Sequence, residues 1–222
     1  FEACNEQLVT PKADPEPEIL FTQNTAYSID MTDHGSAAAS SLMTALRTTY
    51  DASIAIGYSP LVSTSIYCGD YSKQQLLWVM AGNYAVSQGE YTGAELRQMM
   101  EWLVNVKDNG ANPIRHRNYM PVTSGMEYKV TEYEQGKFRL EELTVNGAPL
   151  DDTATYTVFV AGTDVWIENE VYCSCPMPEN LKTKRTEYAI EGADSRSCLK
   201  DSLAVSKQFP APSEYLTIVQ GE

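Results

Sequence analysis

The chain has 222 residues, of which 43% are hydrophobic and 21% charged, a composition typical of a soluble globular protein with one large domain. Its formal net charge of −14 would repel nucleic-acid phosphates and anionic membranes, so we expect no nucleic-acid partner. No apolar run approaches the roughly 18 residues of a membrane-spanning helix, so no membrane insertion is expected. A strongly acidic surface is typical of a secreted protein kept soluble by its charge, which favours an extracellular or cell-surface location.

The cysteines favour the same compartment. There are five of them: Cys4, Cys68, Cys173, Cys175 and Cys198. A zinc site would need three cysteines and a distant fourth ligand, because neither His34 nor His116 lies near the Cys-x-Cys pair. Disulfides are therefore the favoured interpretation, and no metal site is predicted. We expect Cys68 to stay free because it lies inside the predicted core domain. The other four cysteines allow three connectivities, among which the sequence does not choose.

The first half of the chain is predicted to be an arm followed by alternating helices and strands. Residues 1–20 are rich in proline and acidic residues, which is typical of an extended linker or arm to which a preceding domain could be attached. Residues 36–46 are rich in alanine and leucine and predict a helix, with Arg47 suited to its C-terminal end. Residues 52–56 predict a buried strand that ends at Gly57.

Two capping-box signatures predict the starts of two further helices. Ser72 is followed three residues later by Gln75, and Thr92 by Glu95, so that each pair can satisfy backbone groups at a helix start. The second helix carries apolar residues at the spacing of one helix face: Leu96, Met99, Met100 and Leu103. We interpret these methionines as core residues.

The second half changes to strand patterns. Residues 127–130, 138–145 and 155–160 have the composition of strands, and Asn146-Gly147 is a strong turn signal. From Cys173 onward the chain is polar and is predicted to be irregular, apart from a last strand at 215–219. Helices mixed with mostly antiparallel strands predict an α+β fold.

Several short motifs follow one another in a recognisable order. They are Gly-Asp-Tyr-Ser at 69–72, Thr-Gly-Ala-Glu-Leu at 92–96, Ser-Gly-Met-Glu-Tyr at 124–128 and Val-Asn-Gly-Ala-Pro-Leu-Asp at 145–151. In this order, over residues 51–160, the chain resembles the C-terminal domain of the 5′-nucleotidase family. The resemblance implies a mixed sheet with packed helices at 21–170. Residues 171–222 would then form a cysteine-containing extension packed on the same domain.

The resemblance also implies where catalysis would occur. In that family a separate N-terminal domain holds two divalent metal ions, which activate water and polarise the phosphate ester. With two histidines, this chain cannot form the family's dimetal centre. We therefore expect no catalytic residue and no cofactor in this chain, with a metallophosphoesterase domain as its partner and both metals in that domain. Whether the chain is part of an enzyme is left open.

The motifs that grip a nucleotide in the family are altered. The family's Asn-x-Gly-Gly-Ile-Arg corresponds to Ile-Gly-Tyr-Ser-Pro-Leu at 56–61, and its Pro-Phe-Gly-Asn corresponds to Met-Ala-Gly-Asn at 80–83. Asp30 and Asp33 lie where relatives carry another arginine. In the family two phenylalanine rings stack on the two faces of the base. Loss of both rings would weaken nucleotide binding by roughly 30-fold to 10⁴-fold. The family's Gly-Gly-Asp-Gly loop corresponds either to Gly-Thr-Asp-Val at 162–165 or to a rebuilt segment at 166–169.

The family positions nevertheless identify candidate residues for a remodelled ligand site. These are Tyr58, Asn83, Tyr84, Asp164 and Trp166. The leading hypothesis is that the chain is the substrate-specificity domain of a 5′-nucleotidase-like metallophosphoesterase. This domain would not be catalytic alone and would bind a phosphate ester or nucleoside. The alternative is a degenerate extracellular module that has a binding or structural role and no hydrolase activity.

Overall fold

The computed structural model describes residues 17–58, 61–80, 82–104, 120–162 and 177–221. The helices of these residues are α1 (Ala37–Thr49), α2 (Lys73–Val79), α3 (Gly93–Leu103), α4 (Glu179–Glu187) and α5 (Ser195–Ser206). The strands are β1 (Ile19–Gln23), β2 (Ile54–Tyr58), β3 (Gly69–Ser72), β4 (Ala85–Thr92), β5 (Pro121–Ser124), β6 (Met126–Glu134), β7 (Lys137–Val145), β8 (Ala148–Pro149), β9 (Thr155–Ala161), β10 (Ala189–Asp194) and β11 (Leu216–Gln220).

These strands form three sheets. The largest has the order β10-β4-β9-β2-β5, in which β2 and β9 are parallel and the other neighbours antiparallel. A second sheet has the order β11-β6-β7-β8, and β1 pairs with β3 in a two-stranded ribbon. Mixed sheets with packed helices confirm the predicted α+β class.

Helix α1 lies at the centre of the molecule because it carries small and apolar residues on the faces that pack. Ser36 caps it by accepting a hydrogen bond from the Ala39 amide. Leu42 and Leu46 are fully buried. The helix contacts β2 and β5 on one side and α5 on the other. In the contact with α5, the hydroxyl of Ser202 donates to the Ala45 carbonyl at 2.9 Å.

The C-terminal part is more ordered than the sequence predicts. The prediction of an irregular chain from Cys173 onward is wrong for the described residues 177–221, which contain α4, β10 and α5 as well as the predicted last strand. Asp194 caps α5 by accepting hydrogen bonds from the Arg196 and Ser197 amides. Leu199 and Leu203 on that helix are buried, so its apolar face joins the main core.

The local sequence signals are confirmed. Both capping boxes are formed, at Ser72 with Gln75 and at Thr92 with Glu95. The Asn146-Gly147 turn joins β7 to β8, and both residues have positive φ angles, 53° and 77°, as a tight hairpin turn requires. Leu96, Met99, Met100 and Leu103 are all buried, which confirms that the methionines fill the core.

The capping box of α3 gives a first test. We expect Thr92→Ala to lower the free energy of unfolding by about 1 kcal/mol, because the alanine leaves the Glu95 amide without its acceptor. Thr92→Ser keeps the hydroxyl and serves as the matched control. Urea denaturation of both variants measures the difference, and equal stabilities would contradict the assigned cap.

The two cysteines among the described residues are both free. Cys68 is exposed, in line with the prediction that it stays unpaired. Cys198 was predicted to be paired, but it is a free and fully buried thiol on α5. Burial raises the pKa of this thiol, and a hydrogen bond links it to Tyr50. Cys4, Cys173 and Cys175 lie outside the described residues. Among the helices of the described ranges, none is long and apolar enough to cross a membrane.

Candidate functional site

Several strand ends of the five-stranded sheet meet at one edge, which we call the C-terminal edge because β2 and β9 both end there. Tyr58 ends β2 and pairs with Pro121, the first residue of β5. Since β4 is antiparallel to β9, its first residues lie at the same edge, with Val86 opposite Ala161. Asp194, the last residue of β10, pairs with Ala85 there. The edge therefore gathers segments that are far apart in sequence.

The predicted ligand residues map onto this edge as far as the structure describes them. Tyr58 lies at the end of β2, and Asn83 and Tyr84 immediately precede β4. Asn83 is exposed and Tyr84 half-buried. Asp164 and Trp166 lie outside the described residues. Gly162, two residues before Asp164, donates its amide to the Ala85 carbonyl at 3.1 Å, so β9 ends beside the Tyr84 segment.

The start of α5 holds the segment between α2 and β4. The Ser195 amide donates to the Tyr84 carbonyl at 2.9 Å, and the Tyr84 amide donates back to the Ser195 hydroxyl at 3.1 Å. Arg196 Nη2 donates to the Met80 carbonyl at 3.0 Å. These bonds fix the backbone on which Asn83 and Tyr84 are carried. Neither Ser195 nor Arg196 was predicted from the sequence.

A signal for these two residues was present. Asp194 and Ser197 have capping-box spacing, and Cys198, Leu199, Ser202 and Leu203 follow at helical intervals. Recognising that helix would have placed Arg196 in its first turn. It would not have placed the helix against Met80, because that contact joins residues 116 positions apart.

The ring of Tyr84 packs back onto its own segment. A Cβ added at Gly82 would lie 3.1–3.2 Å from ring atoms of Tyr84, so the ring lies close over the Gly82 backbone. Part of the ring surface is thus used within the protein.

The described part of the edge carries charged groups of both signs. Arg196 brings a guanidinium to Met80, whereas the Asp194 carboxylate is committed to capping α5 through bonds of 2.8 and 2.9 Å. Within the described ranges, no three His, Cys, Asp or Glu side chains are grouped closely enough to hold a metal ion. The described part of the edge can offer hydrogen bonds, an aromatic surface and positive charge to a ligand.

Solved structures share this architecture. A 5′-nucleotidase precursor from Thermus thermophilus is similar with a TM-score of 0.66 and 16% identity, covering 92% of this chain and 40% of its own. The NAD nucleotidase of Haemophilus influenzae gives 0.70 and 13%, covering 93% and 39%. The Thermus thermophilus sulfate thiohydrolase SoxB gives 0.64 and 16%, covering 91% and 35%. This chain thus spans about two fifths or less of the length of these relatives.

Sequence comparison identifies the family. No curated protein matches the chain significantly. Residues 19–163, more than half of the chain, match the family described as 5′-nucleotidase, C-terminal domain. The chain therefore belongs to the 5′-nucleotidase C-terminal domain family.

Proposed function

We propose that this chain is the substrate-specificity domain of a 5′-nucleotidase-like metallophosphoesterase and is not catalytic by itself. The observation that supports the proposal is the C-terminal edge, at which the backbones of Tyr58, Asn83 and Tyr84 lie. Family membership and the greater length of the solved relatives support it. In the full protein, a preceding metallophosphoesterase domain would hold both divalent metals.

The proposed division of labour follows from the residues present. The described part of this chain offers no metal ligand cluster, so no step of the hydrolysis is assigned to it. Its part would be to bind and orient a small phosphate ester or nucleoside at the edge. Tyr58, Asn83, Tyr84, Asp164 and Trp166 are the residues we propose for contact with that ligand, and Arg196 is added to them. We also propose that the protein works outside the cell or at its surface, with domain boundaries near residues 20 and 170.

The proposed binding surface differs from the family pattern, and this difference supports a second candidate function. Leu61 and Ala81 stand where the family has an arginine and a stacking phenylalanine. These losses favour a degenerate binding or structural module without hydrolase activity as the alternative. The two functions differ in whether the full-length protein releases phosphate from any ester.

Phosphate release by the chain and by its full-length protein tests the proposal. We expect the chain with added Mn²⁺ or Zn²⁺ to release no phosphate from AMP, and the full-length protein to hydrolyse at least one phosphate ester. In that protein, Tyr84→Ala should raise KM about 10-fold, because aromatic stacking contributes roughly 1–3 kcal/mol. Tyr133→Ala, at an exposed position on β6, is the matched control.

Three results would contradict parts of the proposal. Hydrolysis of AMP by the chain alone would overturn the missing-catalyst argument. A full-length protein inactive on a broad panel of esters would favour the alternative. A clear thermal stabilisation of the chain by AMP or adenosine would agree with the proposed ligand class, but it would contradict the view that the family's own nucleotide site has been lost.

A further inference from the structure

A cavity lies between β4 and the C-terminal end of α4, next to the segment that carries Tyr84. Its volume is about 160 Å³, roughly ten times the space that one water molecule needs. It is lined by Ala85, Val86, Ser87, Arg185, Thr186 and Ala189. None of these residues is among those proposed to contact the substrate.

Next to the cavity, β10 does not follow β4 continuously. Ala189 pairs with Ser87, and Asp194 pairs with Ala85, so five steps along β10 match two along β4. The intervening bulge separates the two strands. Next to the gap, Tyr188 lies flat against β4, since a Cβ at Gly89 would meet its ring at 2.0 Å. The backbone thus forms a fixed opening at the edge of the sheet.

Two residues that line this cavity carry buried donor atoms without partners. The Ser87 side chain is only 3% exposed, and its Oγ has no hydrogen-bond partner among the described residues. Arg185 Nη1 is also buried and without a partner among them. Buried polar atoms in folded proteins are nearly always paired. Two unpaired groups that line one cavity indicate that something else satisfies them.

Neighbouring cations on α4 show that Arg185 differs from them. Lys184 Nζ binds the Glu95 carboxylate at 2.6 Å and the Glu90 carbonyl at 3.1 Å. Lys182 lies 4.0 Å from the Glu179 carboxylate. Within the described residues, no carboxylate comes within ion-pair distance of Arg185, although the chain carries 30 acidic residues. Among the three described cations of α4, Arg185 is therefore the one without a carboxylate partner.

We propose that this cavity binds a small oxyanion, a carboxylate or a tetrahedral ion such as phosphate or sulfate. A guanidinium has donors and no acceptor, so its partner must be an acceptor, and a negative charge compensates its buried charge. We expect oxygens of the bound oxyanion to accept hydrogen bonds from Arg185 Nη1 and Ser87 Oγ once these two side chains turn toward the cavity. Arg185 is half-buried, which leaves a route for entry from solvent. The site is independent of the proposed hydrolase function.

Titration of the purified chain with sodium phosphate, sulfate and acetate tests this proposal. Each salt is compared with sodium chloride at equal ionic strength, and binding is followed by thermal shift and isothermal titration calorimetry. We expect a saturable rise of Tm with at least one oxyanion. Arg185→Met should abolish it, and Ser87→Ala should weaken the affinity about 10-fold, as for a hydrogen bond to a charged group. Comparison of acetate with phosphate and sulfate separates a carboxylate ligand from a tetrahedral one.

Lys200→Met is the matched control, because Lys200 is an exposed cation on α5 and its loss changes the net charge equally. It should keep the wild-type affinity. In oxyanion-free buffer, Arg185→Met should be at least as stable as the wild type, since the charge it removes has no partner. The proposal is overturned if no oxyanion stabilises the wild type beyond chloride at equal ionic strength, if Arg185→Met retains the response, or if Lys200→Met loses it equally.

Discussion

Gly125→Ala is expected to lower the free energy of unfolding by about 2–4 kcal/mol, whereas Gly147→Ala should lower it by about 1–2 kcal/mol. Both glycines have left-handed backbone angles, with φ of +80° and +77°. A Cβ at Gly125 would lie 2.2 Å from the Ser53 carbonyl oxygen. A Cβ at Gly147 would have no atom within 4 Å. The pair therefore shares the conformational strain and differs in the clash.

The Gly125 clash cannot be relieved cheaply. Ser53 lies just before β2, and its amide donates to the Thr157 carbonyl at 2.9 Å, which fixes its backbone against β9. Gly125 itself lies between β5 and β6, where the chain passes from the five-stranded to the four-stranded sheet. A shift here would disturb both sheets. Urea denaturation of the two variants measures the difference, and equal losses of stability would show that the Ser53 contact is not rigid.

The parts of the fold that the sequence predicts are those determined by neighbours in the chain. The capping boxes at Ser72 and Thr92 and the turn at 146–147 each depend on residues three or fewer positions apart. They form as predicted because the groups that they satisfy belong to the same turn of chain. Such signals survive any change of tertiary surroundings.

Elements that depend on distant partners were missed. Strand β4 is polar and contains Gly89, which is unfavourable in a strand taken alone. It forms because it pairs with β9 along seven residues, and Gly89 is needed where the Tyr188 ring approaches the backbone. Similarly, β1 and β3 pair across about 50 positions in sequence. Their stability comes from tertiary contacts that propensity does not record.

In the candidate site, too, some residues are recognisable from local motifs and others only from contacts between distant parts of the chain. Tyr58, Asn83 and Tyr84 were identified through short motifs, and the sheet topology places their backbones at one edge. Ser195 and Arg196 support that edge from the C-terminal extension, which was predicted from the sequence to be irregular. The resemblance therefore identified candidate residues that share one edge of the sheet, while the groups that hold this edge come from residues beyond the family match at 19–163.

Alkaline pH is expected to destabilise the protein steeply, beginning near pH 9. Burial raises the pKa of the hydroxyls of Tyr50, Tyr71, Tyr91 and Tyr128, to about 12 for Tyr91, and it raises the pKa of the Cys198 thiol. In the unfolded chain these groups ionise near their ordinary values of about 10 and 8.5. Above those values the unfolded state has lost protons that the folded state keeps. The unfolded state therefore binds fewer protons, and stability falls as pH rises.

Tyr91 gives the sharpest test of this expectation. Between about pH 10 and its folded pKa of about 12, the hydroxyl should remove up to about 1.4 kcal/mol of stability per pH unit. Tyr91→Phe keeps the ring that packs edge-on against Tyr188, at 5.6 Å between centroids, and removes the ionisable group. Urea denaturation at intervals from pH 9 to 11.5 should therefore show a shallower fall in stability for this variant. Its slope of unfolding free energy against pH should correspond to about one proton fewer than in the wild type. Tyr133→Phe alters an exposed tyrosine and should reproduce the wild-type slope. Equal slopes for Tyr91→Phe and the wild type would mean that the Tyr91 hydroxyl is not desolvated in the folded protein, and that the alkaline loss of stability arises from the other buried groups.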